Sequence, residues 1–216
     1  MQVRIWGKGA GFLAEPQKLD QFLDQIFSKL DMKISIKTRI GTHYEEDWEY
    51  LLAIYEKYPI HELIIHPRIQ TDMYRGVPRL GAYEKAVNRL KMPLCYNGNL
   101  FSAADYKRIT ERFPDTCCFM YGRGLITNPG LVTEIREGIR QDKKTVREFH
   151  DCLFEEYREL LSGERNVLFR MKELWSYMAV NFTNYEKYAK KIKKSQHLSE
   201  YSSVVSSLFA EQDLID

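Results

Sequence analysis

The 216-residue sequence contains no apolar run near the roughly 18 residues that a membrane span needs. Its first residues, MQVRIWGKGAGF, also lack the apolar core of a secretory signal peptide. These absences predict a cytoplasmic protein without a membrane partner. Cysteine is scarce, and the four cysteines show neither metal-site nor disulfide-framework spacing, so we expect reduced thiols and no metal. Three of them lie in apolar, strand-like runs where buried packing is expected: Cys95, Cys117 and Cys118.

The charge of the chain is nearly balanced but unevenly distributed. The formal net charge is +2, so bulk charge does not indicate a nucleic-acid partner. Residues 139–196, however, hold 13 Lys and Arg against nine Asp and Glu. A segment of this kind can contact phosphates, although a solvated helical surface would have the same composition.

Strand-like and helix-like segments alternate four times. The predicted strands are KISIKTRI, HELIIHPR, MPLCYNG and TCCFMYGRG, short and apolar as buried parallel strands are. Equivalent positions in successive strands lie 29, 31 and 25 residues apart, each about the length of one βα unit. Regular βα units indicate a doubly wound sheet or a (β/α)₈ barrel. A complete barrel takes about 250 residues, so four units predict half a barrel.

Helical periodicity predicts the remaining organisation. Helices are expected at Leu19–Leu30, Glu45–Tyr58, Gly81–Leu90 and Ala103–Phe113, and again in NPGLVTEIREGI. From about Ile139 onward strand signals stop, and the later segments have only helical spacing. The sequence therefore predicts an α/β domain over 1–138 and an all-α domain over 139–216.

Polar residues follow all four predicted strands. Functional groups of parallel α/β folds collect at the carboxyl ends of strands, so these residues are the candidate site. They are Lys37 and Arg39; His66, Arg68 and Gln70; Asn97, Gly98 and Asn99; and Gly122, Arg123 and Gly124.

The last two strand ends, YNGNL and YGRGL, have the composition of a phosphate site. Gly98 and Gly122 allow the backbone to approach a ligand, and the helices that follow point their N-termini at the same place. Arg123 would add a charge-assisted contact. Two ordinary turns would read similarly, but the paired spacing favours phosphate.

Lys37 and His66 lie on earlier strands of the same predicted sheet. Lys37 is expected to point into the barrel mouth, where a cation stabilises negative charge on a bound ring. His66 can donate a hydrogen bond to such a ring. An exposed strand lysine and a satisfied core histidine are the alternatives.

These motifs resemble a known family. IKTRIG, IIHPRIQTDMYRG, YNGNLFS and FMYGRGLITNPGL resemble the second half of the tRNA-dihydrouridine synthase family, and the resemblance extends from GKGAGFLAEP to about Glu137. LFRMKELWSYM is similar, less specifically, to the RNA-binding helical domain of that family. The resemblance implies an FMN-dependent oxidoreductase on a TIM barrel. It would reduce uridine to 5,6-dihydrouridine in tRNA, with NADPH as the reductant.

The resemblance also implies residue roles. Lys37 and His66 would contact the flavin ring, and Arg68 and Gln70 would lie near the flavin and a flipped-out uridine. The FMN phosphate would be held by Asn97, Gly98, Asn99, Gly122 and Arg123. RNA contacts would come from Arg165, Arg170 and Lys172, and from Lys190, Lys191, Lys193 and Lys194.

The sequence departs from the family pattern in three places. Asn97-Gly98-Asn99 stands where members usually have Asn-Gly-Asp, though Asn99 can still cap the next helix. His66-Pro67-Arg68 stands where His-Gly-Arg is common. The family's general acid is a cysteine in an Asn-x-Gly-Cys-Pro loop, and none of the four cysteines matches it. No catalytic residue is therefore assigned, and we expect a chain without the first half-barrel.

Three functional interpretations stay open at this point. The first is a synthase whose first half-barrel is missing or lies on a partner chain. An open half-barrel would self-associate or bind such a partner, because it has unpaired sheet edges. The second is a non-catalytic tRNA-binding remnant. The third is another FMN-dependent barrel of the dihydroorotate dehydrogenase type, although such enzymes lack the appended helical domain.

Overall fold

A computed structural model describes residues 9–215, and these form two compact units. The sheet unit contains the described residues up to Leu100 together with Lys107–Tyr121. The helical unit contains Phe101–Tyr106 and the described residues from Gly122 onward. These units are defined by how the residues pack. The predicted boundary between an FMN-binding domain and a tRNA-binding domain at residue 138 stays a prediction. No helix of the described residues is both long and apolar enough to cross a membrane.

Four parallel strands form one sheet, in the order β1-β2-β3-β4. The strands are β1 (Ser35–Arg39), β2 (Glu62–His66), β3 (Leu94–Tyr96) and β4 (Cys118–Phe119). A helix follows each strand along the chain: α2 (Asp47–Tyr55), α3 (Leu80–Arg89), α4 (Ala103–Arg112) and α5 (Arg123–Thr127). Before β1 lies α1 (Pro16–Lys29). The predicted fold class is confirmed, since four parallel βα units are half of a (β/α)₈ barrel.

The two faces of the sheet differ in chemistry. Leu63 and Ile65 are fully buried on one face, in a core that also contains Tyr96. Because side chains alternate along a strand, the other face receives Lys37 and Cys95. The apolar face packs the helices, and the opposite face is left to polar groups and thiols.

Buried hydrogen bonds fix the helices on the apolar face. The Trp48 indole N–H of α2 donates to the Ala82 carbonyl of α3, at 2.8 Å. The hydroxyls of Thr38 in β1 and Tyr55 in α2 lie 2.8 Å apart. Such bonds satisfy polar groups that burial would otherwise penalise, so they set how each helix meets the sheet.

The helix after β3 begins at Ala103, as predicted, but its capping residue is not the predicted one. Ser102 Oγ accepts from the Asp105 backbone N–H at 3.1 Å, and the Asp105 carboxylate accepts from the Phe101 N–H at 3.1 Å. This arrangement is a variant of the capping box, in which the carboxylate bonds the N–H of the residue before the N-cap Ser102. The predicted cap was Asn99, which lies three residues too early and contacts Arg68 instead.

The segment after β4 also differs from the prediction. The strand was expected through Gly124, but β4 ends at Phe119, and Arg123 begins the five-residue helix α5. The predicted helix in NPGLVTEIREGI is present as α6 (Leu131–Glu137), with Gly130 before its first turn. Glycines in YGRG permitted either a strand end or a helix start, so the pattern alone could not separate them.

The helical unit contains four longer helices after α6. They are α7 (Lys143–Leu160), α8 (Glu164–Met178), α9 (Tyr185–Lys194) and α10 (Leu198–Glu211). Their apolar faces form one core around Met171, Trp175, Tyr201 and Leu208. The described part of residues 139–215 has no strand beyond an isolated bridge between Phe182 and Leu214, which agrees with the predicted all-α character.

Candidate active site

Three predicted site residues form a row at the carboxyl ends of the strands. Arg39 of β1 pairs in register with His66 of β2. The Asn97 N–H donates to the Ile65 carbonyl at 3.0 Å, which continues the ladder to the end of β3. Directly paired residues point to the same face of a sheet, so Arg39, His66 and Asn97 form a rim on the face away from the helices.

Lys37 lies on this face, one layer below the rim. It pairs in register with Ile64, two residues before His66. Burial, and secondarily the nearby Arg39 guanidinium, lower the pKa of Lys37. Among the described residues Lys37 has no ion-pair partner, so its ammonium is available to an anionic ligand.

Arg68 is completely buried, unlike a typical substrate-contacting arginine. Its guanidinium donates to the Gly76 carbonyl at 2.5 Å, to the Arg75 carbonyl at 3.2 Å and to Asn99 Oδ1 at 3.2 Å. Its Nη1 lies 3.1 Å from His66 Nε2. Arg68 thus joins the end of β2 to the end of β3 and fixes the loop that follows β2. A contact between Arg68 and a substrate base stays a prediction.

The loop after β2 places an aromatic ring over the rim. Its Tyr74 ring lies 5.6 Å from the Arg39 guanidinium carbon and 6.1 Å from the His66 ring. Asp72 secures the loop by accepting from the Ile69 N–H at 3.1 Å and by pairing with Arg79, which lowers the pKa of Asp72. Gln70 opens a short 3-10 turn, where its N–H donates to the Gly41 carbonyl at 2.9 Å.

The turn after β3 is closely packed. A Cβ at Gly98 would lie 3.1 Å from both Pro78 Cγ and the Tyr96 hydroxyl, so glycine allows the loops to approach. Asn99 has φ of 35°, in the left-handed region that Asn tolerates better than most residues. The Asn97 side-chain amide donates to the Met120 carbonyl at 2.7 Å. Gly98 and Asn97 therefore contribute to packing and strand pairing as well as to any phosphate site.

The second half of the predicted phosphate cradle belongs to the helical unit. Gly122 precedes α5, and an added Cβ there would meet no atom within 4 Å. The Arg123 guanidinium lies over the Phe101 ring, 5.4 Å from its centroid. The other half, Asn97–Asn99, belongs to the sheet unit. A cradle formed jointly by both loops stays a prediction.

The predicted RNA contacts on α8 differ in their surroundings. Arg165 is exposed, whereas Arg170 pairs with Glu173 one turn away, at 3.1 Å. Lys172 donates to the Ser195 carbonyl at the end of α9. Lys172 therefore has a structural role in joining α8 to α9, and Arg165 is the one of the three that has no ion-pair or hydrogen-bond partner among the described residues.

Helix α9 presents a cationic surface. Tyr188 and Ile192 are buried on one side of the helix, which leaves the lysines outward. The exposed set comprises Lys187, Lys190, Lys191, Lys193 and Lys194. A lysine row of this kind suits phosphate backbones, which are bound mainly through charge.

The rim favours an anionic or electron-rich planar ligand. Lys37, Arg39 and Arg68 bring positive charge to one end of the sheet, and Asp72 is neutralised by Arg79. An anionic or electron-rich ring is stabilised by nearby positive charge, and its face can stack on the Tyr74 ring. Tyr74 was not among the site residues predicted from the sequence. An aromatic residue within the polar segment QTDMYRG could have indicated a ligand contact.

Comparisons with a family model and with individual proteins point to the same family. A sequence model of the dihydrouridine synthase family matches residues 2–212. The chain is 26% identical over 137 residues to a protein of Pasteurella multocida named tRNA-dihydrouridine synthase B, an alignment covering 62% of this chain and 40% of that protein. It is 25% identical over 222 residues to a Synechocystis protein named probable tRNA-dihydrouridine synthase 1, covering 97% of this chain and 58% of that protein. The chain therefore spans about half the length of these relatives.

Proposed function

This chain belongs to the dihydrouridine synthase family, and we propose that it acts in the reduction of uridine to 5,6-dihydrouridine in tRNA. The observation that carries this proposal is the rim of Arg39, His66 and Asn97 at the carboxyl ends of β1, β2 and β3, with the cations Lys37 and Arg68 beside it. Ligand sites of (β/α)₈ barrels lie at this end of the strands. Among the open interpretations, family membership favours a synthase over a barrel of the dihydroorotate dehydrogenase type.

We assign the rim to FMN. Lys37 would place its ammonium against the flavin ring, and His66, held by Arg68, would lie beside it. The phosphate would be bound by Asn97, Gly98, Asn99, Gly122 and Arg123. The described surroundings of Lys37 fit this role, since an exposed cation without an ion-pair partner among the described residues can meet a bound anion. Bound in this way, FMN would supply the hydride for the uracil ring, with NADPH as the proposed reductant.

Arg68 and Gln70 are proposed to position the target uridine. Arg68 is enclosed by its own loop, so we assign it to holding His66 and Asn99 in place. Gln70 is partly exposed at the start of the loop that carries Tyr74. A uridine flipped out of the tRNA would enter beside that loop.

The domain over 139–216 is proposed to bind tRNA. Arg165 and the α9 lysines are its exposed cations, and Arg170 would contact RNA by exchanging Glu173 for a phosphate. Phosphate contacts give sequence-independent affinity and orientation, while the flipped base gives specificity.

The general acid and the other four βα units are proposed to come from outside this sequence. They would precede it in a longer chain or belong to a partner chain. In the described residues β1 is an edge strand, and a groove of about 740 Å³ lies along it, lined by apolar side chains such as Phe12, Leu23 and Ile36. An unpaired edge beside an apolar groove is a surface that another strand and its helix can cover.

The direct test of function is to measure the dihydrouridine content of tRNA from the natural host. We expect tRNA from cells that lack the gene to lose dihydrouridine at one or more positions, measured by mass spectrometry of nuclease digests. Restoring the gene should return the modification, and a copy with Lys37→Ala should not. Unchanged dihydrouridine in the deletion strain, with no second family member present, would contradict the proposal.

The cofactor assignment has a separate test that needs no turnover. FMN binding by the purified chain, followed by quenching of flavin fluorescence, should weaken about tenfold in Lys37→Ala, a loss near 1.4 kcal/mol. Lys33→Ala, an exposed lysine just before β1, is the matched control and should bind like the parent. Equal affinities of all three proteins would remove Lys37 from the flavin site.

The lysine surface of α9 supports tRNA binding without catalysis as a second candidate. In that case, tRNA affinity should fall with salt and be unaffected by Lys37→Ala. Replacing Lys190 and Lys193 together should reduce the salt slope by about one or two. If host tRNA loses dihydrouridine in the deletion strain, this second candidate is wrong.

A further inference from the structure

Three side chains that can bind metal converge on the polar face of the sheet. The carboxylate of Glu62 and the thiols of Cys95 and Cys118 offer one ligand atom each, and these atoms all lie within 4.8 Å of one another. They are separated along the chain by 33 and 23 residues. Such spacing carries no metal-site signature, which is why the sequence predicted no metal.

Strand register brings the three donors to one face. Cys95 pairs directly with Cys118 across β3 and β4, and with Ile64 across β2 and β3. Glu62 lies two residues before Ile64 and so shares its face. Each donor comes from a different strand of a hydrogen-bonded sheet, so the backbone already holds them in place.

The arrangement is close to that of a tetrahedral zinc site. Zn–S bonds of about 2.3 Å at tetrahedral angles place two thiolates about 3.8 Å apart, with a carboxylate oxygen slightly closer. The observed spread of 4.8 Å or less exceeds these spacings by at most about 1 Å, a distance that side-chain rotation can supply. Cys95 is 2% exposed, while Glu62 and Cys118 are partly exposed and offer an entry path.

We propose that Glu62, Cys95 and Cys118 form a binding site for a thiophilic divalent cation, with Zn²⁺ as the best match. Two thiolates and one carboxylate suit Zn²⁺, whereas Mg²⁺ and Ca²⁺ prefer oxygen ligands alone. The fourth position would hold water. This site is distinct from the rim, since Cys95 lies one layer and Glu62 two layers below the His66 row.

Charges around the site are consistent with a bound cation. Two thiolates, a carboxylate and Zn²⁺ sum to one negative charge, and Lys37 in the same layer as Cys95 offsets it. Without a metal the thiols stay protonated, because burial raises the pKa of Cys95 and of Cys118. Metal binding must therefore release protons, and affinity will rise with pH.

Co²⁺ is the probe for this site, because cobalt reports thiolate ligation by charge-transfer absorption in the near ultraviolet. Titration of the reduced, chelator-treated chain should produce these bands and saturate at one equivalent. One equivalent of Zn²⁺ should then abolish them. Cys95→Ser and Cys118→Ser should each reduce the bands at least by half, and Glu62→Gln should weaken Co²⁺ affinity about tenfold while keeping them.

Two exposed cysteines provide matched controls. Cys117→Ser, beside the site in sequence, and Cys152→Ser, in the helical unit, should leave the bands and stoichiometry unchanged. Circular dichroism of each variant separates loss of metal from loss of fold. Absence of thiolate bands in the folded parent would overturn the proposal, as would their persistence in the Cys95→Ser Cys118→Ser double variant. Recovery of these two cysteines as a disulfide in the freshly purified chain would also overturn it.

Discussion

The hydroxyl of Tyr201 and Nε2 of His150 lie 2.6 Å apart in the core of the helical unit. The Trp175 indole N–H donates to the same hydroxyl, at 2.7 Å. The Tyr201 hydroxyl oxygen accepts from the indole, which can only donate, and His150 Nε2 is the one acceptor that its own buried proton reaches among the described residues, so Tyr201 donates to His150. His150 therefore carries its own proton on Nδ1, which donates to Asp151 at 2.8 Å. This chain of bonds requires a neutral imidazole.

The neutrality of His150 predicts an acid-sensitive fold. Burial lowers the pKa of His150 below its ordinary 6.5, although Asp151 acts in the opposite direction. The unfolded chain then takes up this proton at higher pH than the folded chain. The contribution to stability is complete above pH 6.5 and is lost as pH falls toward the folded pKa.

The corresponding measurement is the thermal unfolding midpoint from about pH 8 down to about pH 5. We expect the midpoint of the parent to fall across this range. His150→Gln should be less stable at the upper end, with a flatter profile. Parallel profiles for the two proteins would show that His150 does not titrate differently on folding.

Tyr201→Phe should destabilise the helical unit by about 2–4 kcal/mol. The change leaves the Trp175 N–H and His150 Nε2 buried without their partner, and each such group costs about 1–3 kcal/mol. Tyr185→Phe is the matched control, since Tyr185 is partly exposed and its hydroxyl has no hydrogen bond among the described residues. Its expected change is within about 0.5 kcal/mol, measured by urea unfolding. Equal losses in the two variants would contradict the network.

Arg68→Lys should destabilise the sheet unit despite keeping the charge. Lysine cannot reproduce the planar fork that reaches Gly76, Arg75 and Asn99, so buried acceptors lose their donors. The expected loss is about 1.5–3 kcal/mol in denaturant unfolding. Arg75→Lys, an exposed neighbour on the same loop, should change stability by less than about 0.5 kcal/mol. An unchanged free energy of unfolding in Arg68→Lys would mean that the loop is held by other contacts.

Gly98→Ala should destabilise the sheet unit by about 1–3 kcal/mol, because a methyl group would crowd Pro78 and the Tyr96 hydroxyl. Gly81→Ala is a control of opposite sign. Gly81 lies in α3 with no atom within 4 Å of an added Cβ, and alanine there should stabilise the helix by up to about 1 kcal/mol. Unfolding midpoints that move together in both variants would rule out the close approach at Gly98.

Fold class could be predicted from the chain because hydrophobic periodicity is local. Leu63–Ile65 is a short continuous apolar run of the kind that buried strands have, and helices α2 to α4 show apolar residues at helical spacing, so both strands and helices were predictable. The five-residue α5 was missed because too few residues establish a period. Cys117 was expected to be buried but is exposed. It comes just before the first residue of β4, outside the part of the apolar run that pairs in the sheet.

The candidate site was predictable in composition and only partly in arrangement. Lys37, His66 and Asn97 were identified because residues at strand ends follow from the βα repeat. The burial of Arg68 and the position of Tyr74 depend on how one loop folds back over the strand ends, and no short-range pattern encodes that. Lys172 was grouped with RNA contacts because charge is visible in sequence, whereas its bond to Ser195 is not.

By itself, the sequence determined the alternation of strands and helices, the all-α character of the last third and the polar residues at the strand ends. These follow from side-chain periodicity, which a segment of ten residues already contains. Only the tertiary structure decided which distant residues meet. Register between parallel strands placed Cys95 beside Cys118 and above Glu62, and helix packing placed Tyr201 between His150 and Trp175. Such contacts join residues tens of positions apart, so they exist only once the backbone hydrogen bonds and the cores have formed.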